Sequence, residues 1–166
     1  MTLILAIDGR AAAGKTTFAK LLAKNFAAQI IHTDDFFLPP QNRVEKISGH
    51  MDLGGLKKVL KNLSAGKPAV YKPYDCARGK YKKEIKINPR GLIIVEGCYS
   101  LHPKLAAHYD QKIFMNISPS AQKKRILARG GKESLKAFQK IWIPEEEKYF
   151  LRYAPQKYCD MILEIK

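Results

Sequence analysis

The stretch Ile7–Lys20, "IDGRAAAGKTTFAK", decides how the chain is read. From Gly9 to Thr16 it fits G-x-x-x-x-G-K-[ST], with Arg10, Ala11, Ala12, Ala13, Gly14 and Lys15 between the ends and Thr17 following. Ahead of it, "TLILAI" is apolar on both faces, as a buried parallel strand is. Behind it, Phe18, Leu21, Leu22 and Phe26 recur on a helical period, so an amphipathic helix is expected over about residues 14–28. Glycines between a strand and a helix let the backbone wrap until several N–H groups converge on phosphate oxygens, and the helix N-terminus adds its dipole. In such a loop the lysine reaches the β- and γ-phosphates and the hydroxyl after it holds Mg²⁺, roles that fall to Lys15 and Thr16. A plain glycine turn between core elements would need neither residue.

Working outward, "QIIHT" reads as a second strand, and "DLGGLKKVLKNLSAGKP" as a helix through Leu56, Val59, Leu60 and Leu63 that Gly66 and Pro68 terminate. "AVYKPYD" and "KKEIKIN" can pair as an antiparallel hairpin with "CARGK" near its turn, an insertion over about 68–88. "GLIIVEG" and "KIFMNIS" are two further strands. Ser118 caps a helix with Pro119 at its first position, ending near Gly130 and Gly131. A longer helical pattern runs from Ser134 to Tyr153 with a break at Pro144, and "MILEI" is the last strand. This alternation predicts one α/β domain over 1–166, a three-layer sandwich around a mostly parallel five-stranded sheet. Such sheets bind ligands at the carboxyl edge of their strands, where the sequence puts Asp8 and Gly9, Asp34 and Asp35, and Glu96.

Composition narrows the setting. With 166 residues and 46% apolar content the chain can bury one sizeable core. No apolar run approaches the roughly 20 residues that span a bilayer, and nothing resembles a secretion signal. Three scattered cysteines, in no CxxC pair, fit a reducing compartment, so the cytoplasm is the expected location. The net charge of +15 is mostly lysine spread over a solvated surface, except that Lys67–Arg90 concentrates eight cations with Tyr71, Tyr74 and Tyr81 interleaved. A membrane partner is not expected and nucleic acid is a minor alternative, in which the chain would be a nucleotide-dependent RNA-binding module. A homo-oligomer stays open.

Two groups of acidic residues bear on chemistry. Glu96 ends "LIIVEG", where a carboxylate can face a loop-bound metal ion, so Thr16 and Glu96 are the candidate metal ligands. "IIHTDDFFLPPQ" offers Asp34 or Asp35 to take a proton from an acceptor hydroxyl, followed by aromatic rings that could stack on a planar group. Cys98 and His102 are read as structural, and Trp142 and Tyr149 as anchors of the last helix.

Across nearly its whole length the chain resembles the uridine kinase-like branch of P-loop nucleoside kinases. The shared features run in order: "GRAAAGKTT", "HTDDFFLPPQ", "YKPYDCARGKY", "LIIVEGCYSLHPKLAAHYDQKIFMNI" and "FQKIWIPEEEKYF". The resemblance implies phosphorylation of a nucleoside 5′-hydroxyl, uridine or cytidine, with ATP and Mg²⁺. It makes Asp34 the general base, with Asp35 second, and puts Phe37 and Tyr74 near the base. Asp52 would hold the ribose, and Lys15, Arg125 and Arg129 would act on the phosphates, the two arginines from a short lid over about 125–140. The two arginines are also four residues apart, hence on one helix face. Two departures stand out: no histidine follows Tyr74 and Asp75, leaving Arg78 as the nearest polar substitute, and the lid carries few arginines. Kinases of other small alcohols, nicotinamide riboside or pantothenate, are the rival reading, since "DDFF" occurs in nicotinamide riboside kinases too.

Overall fold

A computed structural model describes residues 1–166. Five parallel strands form the central sheet: β1 (Thr2–Gly9), β2 (Gln29–His32), β7 (Gly91–Glu96), β8 (Gln111–Ile117) and β9 (Met161–Ile165). Their order is β2-β7-β1-β8-β9. Because both faces are covered there, the central strands β7 and β1 are apolar on both sides, while the edge strand β9 is largely exposed. Ile4, Ala6, Ile93 and Val95 face a cluster of 22 buried residues, while Leu5, Ile7, Ile94 and Met115 face a smaller one on the other side. The five strands are those read from the sequence, β1 extending two residues further than its apolar run.

α1 (Lys15–Phe26) covers the smaller cluster, and α2 (Leu53–Ser64) the larger. In α2 the expected Leu56, Val59, Leu60 and Leu63 are all buried. In α1 the expected face is corrected. Phe18, Ala19, Leu22 and Ala23 pack on the sheet, whereas Leu21 is 56% exposed and Phe26 64%. Small alanines on the inner side let α1 approach the strands closely and turn its larger residues to solvent.

Four short strands make the insertion: β3 (Ala69–Tyr71), β4 (Tyr74–Asp75), β5 (Lys80–Tyr81) and β6 (Ile85–Ile87). β3 pairs antiparallel with β6, and β4 with β5. This is the expected hairpin, split in two where Pro73, unable to donate a ladder hydrogen bond, interrupts the pairing.

α3 (Pro119–Ala137) starts as expected, with the Ser118 hydroxyl accepting from the Ala121 N–H at 3.2 Å. It is broken at Gly131, which has φ 73° and ψ −173°. A wide π turn over Phe138–Trp142 then leads into α4 (Ile143–Tyr153). The break expected at Pro144 is taken up by that wider turn, which precedes the proline and absorbs its missing N–H. No helix is long and apolar enough to cross a membrane.

Candidate active site

Parallel pairing aligns the carboxyl ends of three strands. Glu96 lies in register with Ile7 of β1 and His32 of β2, and Gly9 with Met115 of β8. At Gly9 (φ 138°) a Cβ would stand 2.0 Å from the Met115 carbonyl oxygen, so only glycine lets the loop leave the sheet this close to β8. The loop continues through Ala12 at φ 61° to Gly14 at φ 93°, which caps α1. The Arg10 and Ala13 N–H groups are taken by the Met115 and Arg10 carbonyls, while the first turn of α1 leaves its own N–H groups without intrahelical partners.

Lys15 is buried and folds its ammonium back over the loop, donating to the Gly9 and Arg10 carbonyl oxygens at 2.8 Å each. Burial pulls its pKa down, but the surrounding Cys98, Asp8, Glu146 and Glu96 outweigh that and raise it. The Thr16 hydroxyl donates to Glu96 Oε1 at 3.0 Å, so the two candidate metal ligands meet. The same carboxylate oxygen lies 2.5 Å from His32 Nδ1, a bond that raises the His32 pKa. The unpaired amides at the start of α1, a buried lysine and an adjoining hydroxyl–carboxylate pair match what a triphosphate and Mg²⁺ require.

These groups open into a cavity of about 530 Å³. Asp34 borders it, and burial, reinforced by Glu96, raises the Asp34 pKa. The Phe37 N–H reaches the Asp34 carbonyl at 3.4 Å across one tight turn, which puts the Phe37 ring on the same wall. Arg125 and Arg129 border the cavity too. Arg125 Nη1 donates to the Ala12 carbonyl at 3.4 Å, and the Arg129 guanidinium lies 5.7 Å from the centre of the Phe138 ring. Lys15, Thr16, Glu96, Asp34, Phe37 and the two arginines are thus brought together.

Gly9, Arg10 and Ala13 of the loop do not border the cavity, Arg10 turning to Glu147 and Phe150, and four residues expected on the acceptor side lie elsewhere. Asp35 turns away into a second depression of about 310 Å³, where it accepts from the Tyr71 hydroxyl at 3.2 Å. Asp52 caps α2, its carboxylate accepting from the Gly55 N–H at 2.8 Å. Tyr74 is buried edge-on against Tyr81. Arg78 is exposed at the hairpin tip, 3.9 Å from Asp75. None of the four borders the main cavity.

Other residues come to the site unannounced. Trp142 borders the cavity rather than serving only as a helix anchor, whereas Tyr149 is fully buried, as expected, and donates to Asp8 at 2.7 Å. Asp8 also accepts from the Gly9 and Leu101 amides, tying α4 and the segment after β7 to β1. Cys98 touches the loop, its thiol donating to the Gly9 carbonyl at 3.2 Å. His102 is buried among Tyr149 and Tyr153, and burial lowers its pKa to about 4. Glu146, 2% exposed, accepts from the Ala11 amide at 3.0 Å and from Gln122, while its neighbour Glu147 pairs with Arg10. One signal for Glu146 existed: Tyr149 and Phe150 lie three and four residues on, and both are buried, so the three share one helix face.

A parallel sheet in this order, with this loop between its β1 strand and α1, is the α/β fold of P-loop kinases. No protein-family profile matches the chain. Among solved structures, a possible uridine kinase from Bacillus stearothermophilus is similar with a TM-score of 0.72 and 18% identity, over 98% of this chain and 88% of that one. D-glycerate 3-kinase from Cryptococcus neoformans gives 0.59 and 16%, over 88% and 78%. Shikimate kinase from Bacteroides thetaiotaomicron gives 0.52 and 16%, over 99% and 88%. At these identities the likeness establishes the shared fold.

Proposed function

We propose that the chain is an ATP-dependent kinase that phosphorylates the 5′-hydroxyl of a nucleoside, uridine or cytidine. The observation that carries this reading is the meeting of Asp34 and the phosphate loop in one cavity, with an aromatic wall beside the carboxylate. A loop that only drives conformational change needs no acceptor slot; a kinase needs a carboxylate within reach of an acceptor hydroxyl. In this reading Asp34 takes the hydroxyl proton. The acceptor oxygen bonds to the γ-phosphorus as the bond to the bridging oxygen breaks and ADP leaves. Lys15, Arg125 and Arg129 neutralise charge on the transferring group. Mg²⁺, held by Thr16 and Glu96, would supply further charge neutralisation between the phosphates. The rings of Phe37 and Trp142 favour a planar acceptor over the small hydroxy acids named for two of the similar structures.

An ADP-release assay over uridine, cytidine, nicotinamide riboside, pantothenate, D-glycerate and shikimate tests the proposal. Uridine or cytidine is expected to give the highest kcat/KM. Preferential turnover of nicotinamide riboside overturns the uridine or cytidine assignment, and preferential turnover of pantothenate, D-glycerate or shikimate overturns the nucleoside assignment.

A further inference from the structure

Beside Asp34 the cavity wall holds a residue that no motif predicts. The chain segments around residues 37 and 51 form an antiparallel bridge between Phe37 and Met51. The Leu38 N–H donates to the His50 carbonyl at 2.8 Å and the Asp52 N–H to the Phe36 carbonyl at 2.7 Å. These backbone bonds lay the His50 ring almost parallel on Phe37, with centroids 5.4 Å apart and planes 24° from each other. Trp142 and Tyr99 meet the same ring edge-on, at 5.6 and 5.2 Å. His50 is thus the middle member of an aromatic wall that borders the main cavity.

Its chemistry is out of place in an apolar wall. Nε2 is buried and has no hydrogen-bond partner in the protein. Burial lowers its pKa, which keeps the ring neutral near pH 7, with one donor and one acceptor nitrogen. A buried polar atom left unpaired costs stability, and native structures retain such atoms where something else satisfies them. A phenylalanine at this position would stack equally well without that cost. Rotation about the Cβ–Cγ bond, whose wells are broad and two-fold, can turn either ring edge towards the cavity.

We propose that His50 is the specificity-determining residue for the acceptor, exchanging one hydrogen bond with the polar edge of a ring stacked in the slot between Asp34 and Trp142. This rests on reading the cavity as a kinase acceptor site. The ligand class it selects is a heterocycle with a hydrogen-bonding edge carried on a hydroxylated sugar. Purely aliphatic hydroxy acids offer no such edge.

His50→Phe and His50→Gln are compared with the unmodified protein in steady-state kinetics, with thermal melting as a control. His50→Phe keeps the stack and removes both nitrogens. It should raise the acceptor KM roughly five- to tenfold, the loss of one hydrogen bond, and leave kcat and the ATP KM within about threefold. Uridine and cytidine differ only along the ring edge, so their kcat/KM ratio should shift with it. His50→Gln, which retains a polar group, should recover part of the acceptor affinity. A His50→Phe protein whose acceptor KM and uridine-to-cytidine ratio stay within twofold of the parent overturns the proposal and leaves the nucleoside kinase reading intact. Should the parent instead use nicotinamide riboside, the pyrimidine choice fails, and should it use one of the three non-nucleoside acceptors, the nucleoside reading fails. The same two variants then decide His50 on that acceptor, where an unchanged KM for both overturns it.

Discussion

Asp34 and Asp35 are chemically identical and one position apart, yet the tight turn at 33–36 sends them into different cavities. Asp34 faces the phosphate loop, and Asp35 is held by Tyr71. Asp34→Asn should therefore lower kcat by roughly 10²–10⁴ with ATP binding preserved, while Asp35→Asn should keep turnover near that of the parent. Steady-state kinetics with nucleotide titration separates the two, and equal losses would remove Asp34 from the role of base. The pH profile gives an independent check. A base works deprotonated, and the Asp34 pKa is raised, so kcat/KM should fall on acidification with a midpoint above the ordinary aspartate value of about 3.9. A second residue-scale prediction concerns Glu146, which accepts the Ala11 amide and borders the cavity beside the phosphate loop. Its negative charge beside the loop opposes ATP. Glutamine there preserves the contacts, because Gln122 can turn its own amide to match. Glu146→Gln should lower the ATP KM several-fold with kcat little changed; a raised KM would instead make the carboxylate an organiser of the loop. Residue roles divide by how they are encoded. Lys15, Thr16, Glu96 and Asp34 were legible because contiguous chain at strand ends delivers them to the sheet edge. Glu146, His50 and Trp142 were not, because elements far apart in the chain bring them in.

Among the elements, strands are more legible in the sequence than helix faces, and the cause is physical. A parallel strand buried on both sides needs only a continuous apolar run, which "TLILAI" and "GLIIVE" supply. A helix face depends on which of several apolar residues the neighbouring layer accepts. In α1, Leu21 and Leu22 are adjacent and equally apolar, but only Leu22 packs on the sheet. α2 is the opposite case, its four expected residues all buried. Truncations test both orientations. Leu60→Ala in α2 should cost about 2–5 kcal/mol, a buried leucine exchanged for a cavity. Leu21→Ala should stay within about 0.5 kcal/mol, as exposed positions do. Denaturant unfolding followed by circular dichroism measures both, and a large loss at Leu21 would reverse the assigned face of α1. The last helices show a subtler limit. The proline at 144 marks an interruption, but that the chain widens its pitch rather than breaking is visible only in the fold, where the wide turn puts Phe138 and Trp142 on the cavity wall.

The charge of the whole molecule is unevenly placed. Between residues 57 and 90 lie eleven lysines and arginines against Asp75 and Glu84, so this fifth of the chain carries a net +9 of the total +15. All eleven cations are exposed, and α2 and the hairpin pack side by side. The sequence alone suggested tyrosines interleaved with these charges as a surface on which bases could stack. Folding removes most of that surface. Tyr71 and Tyr74 are each 8% exposed, and only Tyr81, at 54%, remains available. Asp75 also engages Arg78 and Lys82, and Glu84 engages Lys72, so part of the charge is answered internally. What remains attracts polyanions by counterion release alone, without the roughly 1–3 kcal/mol per base that stacking platforms contribute. Non-specific binding of this kind has dissociation constants of about 10⁻⁴–10⁻⁶ M at physiological salt. A single-stranded RNA oligomer should therefore bind more weakly than about 1 μM at roughly 150 mM salt, tighten steeply as salt is lowered, and lose little affinity in Tyr81→Ala. Fluorescence anisotropy over a salt series reads all three. Submicromolar binding at physiological salt that collapses in Tyr81→Ala would mean the hairpin grips bases after all, and that an RNA-binding role accompanies the phosphate site.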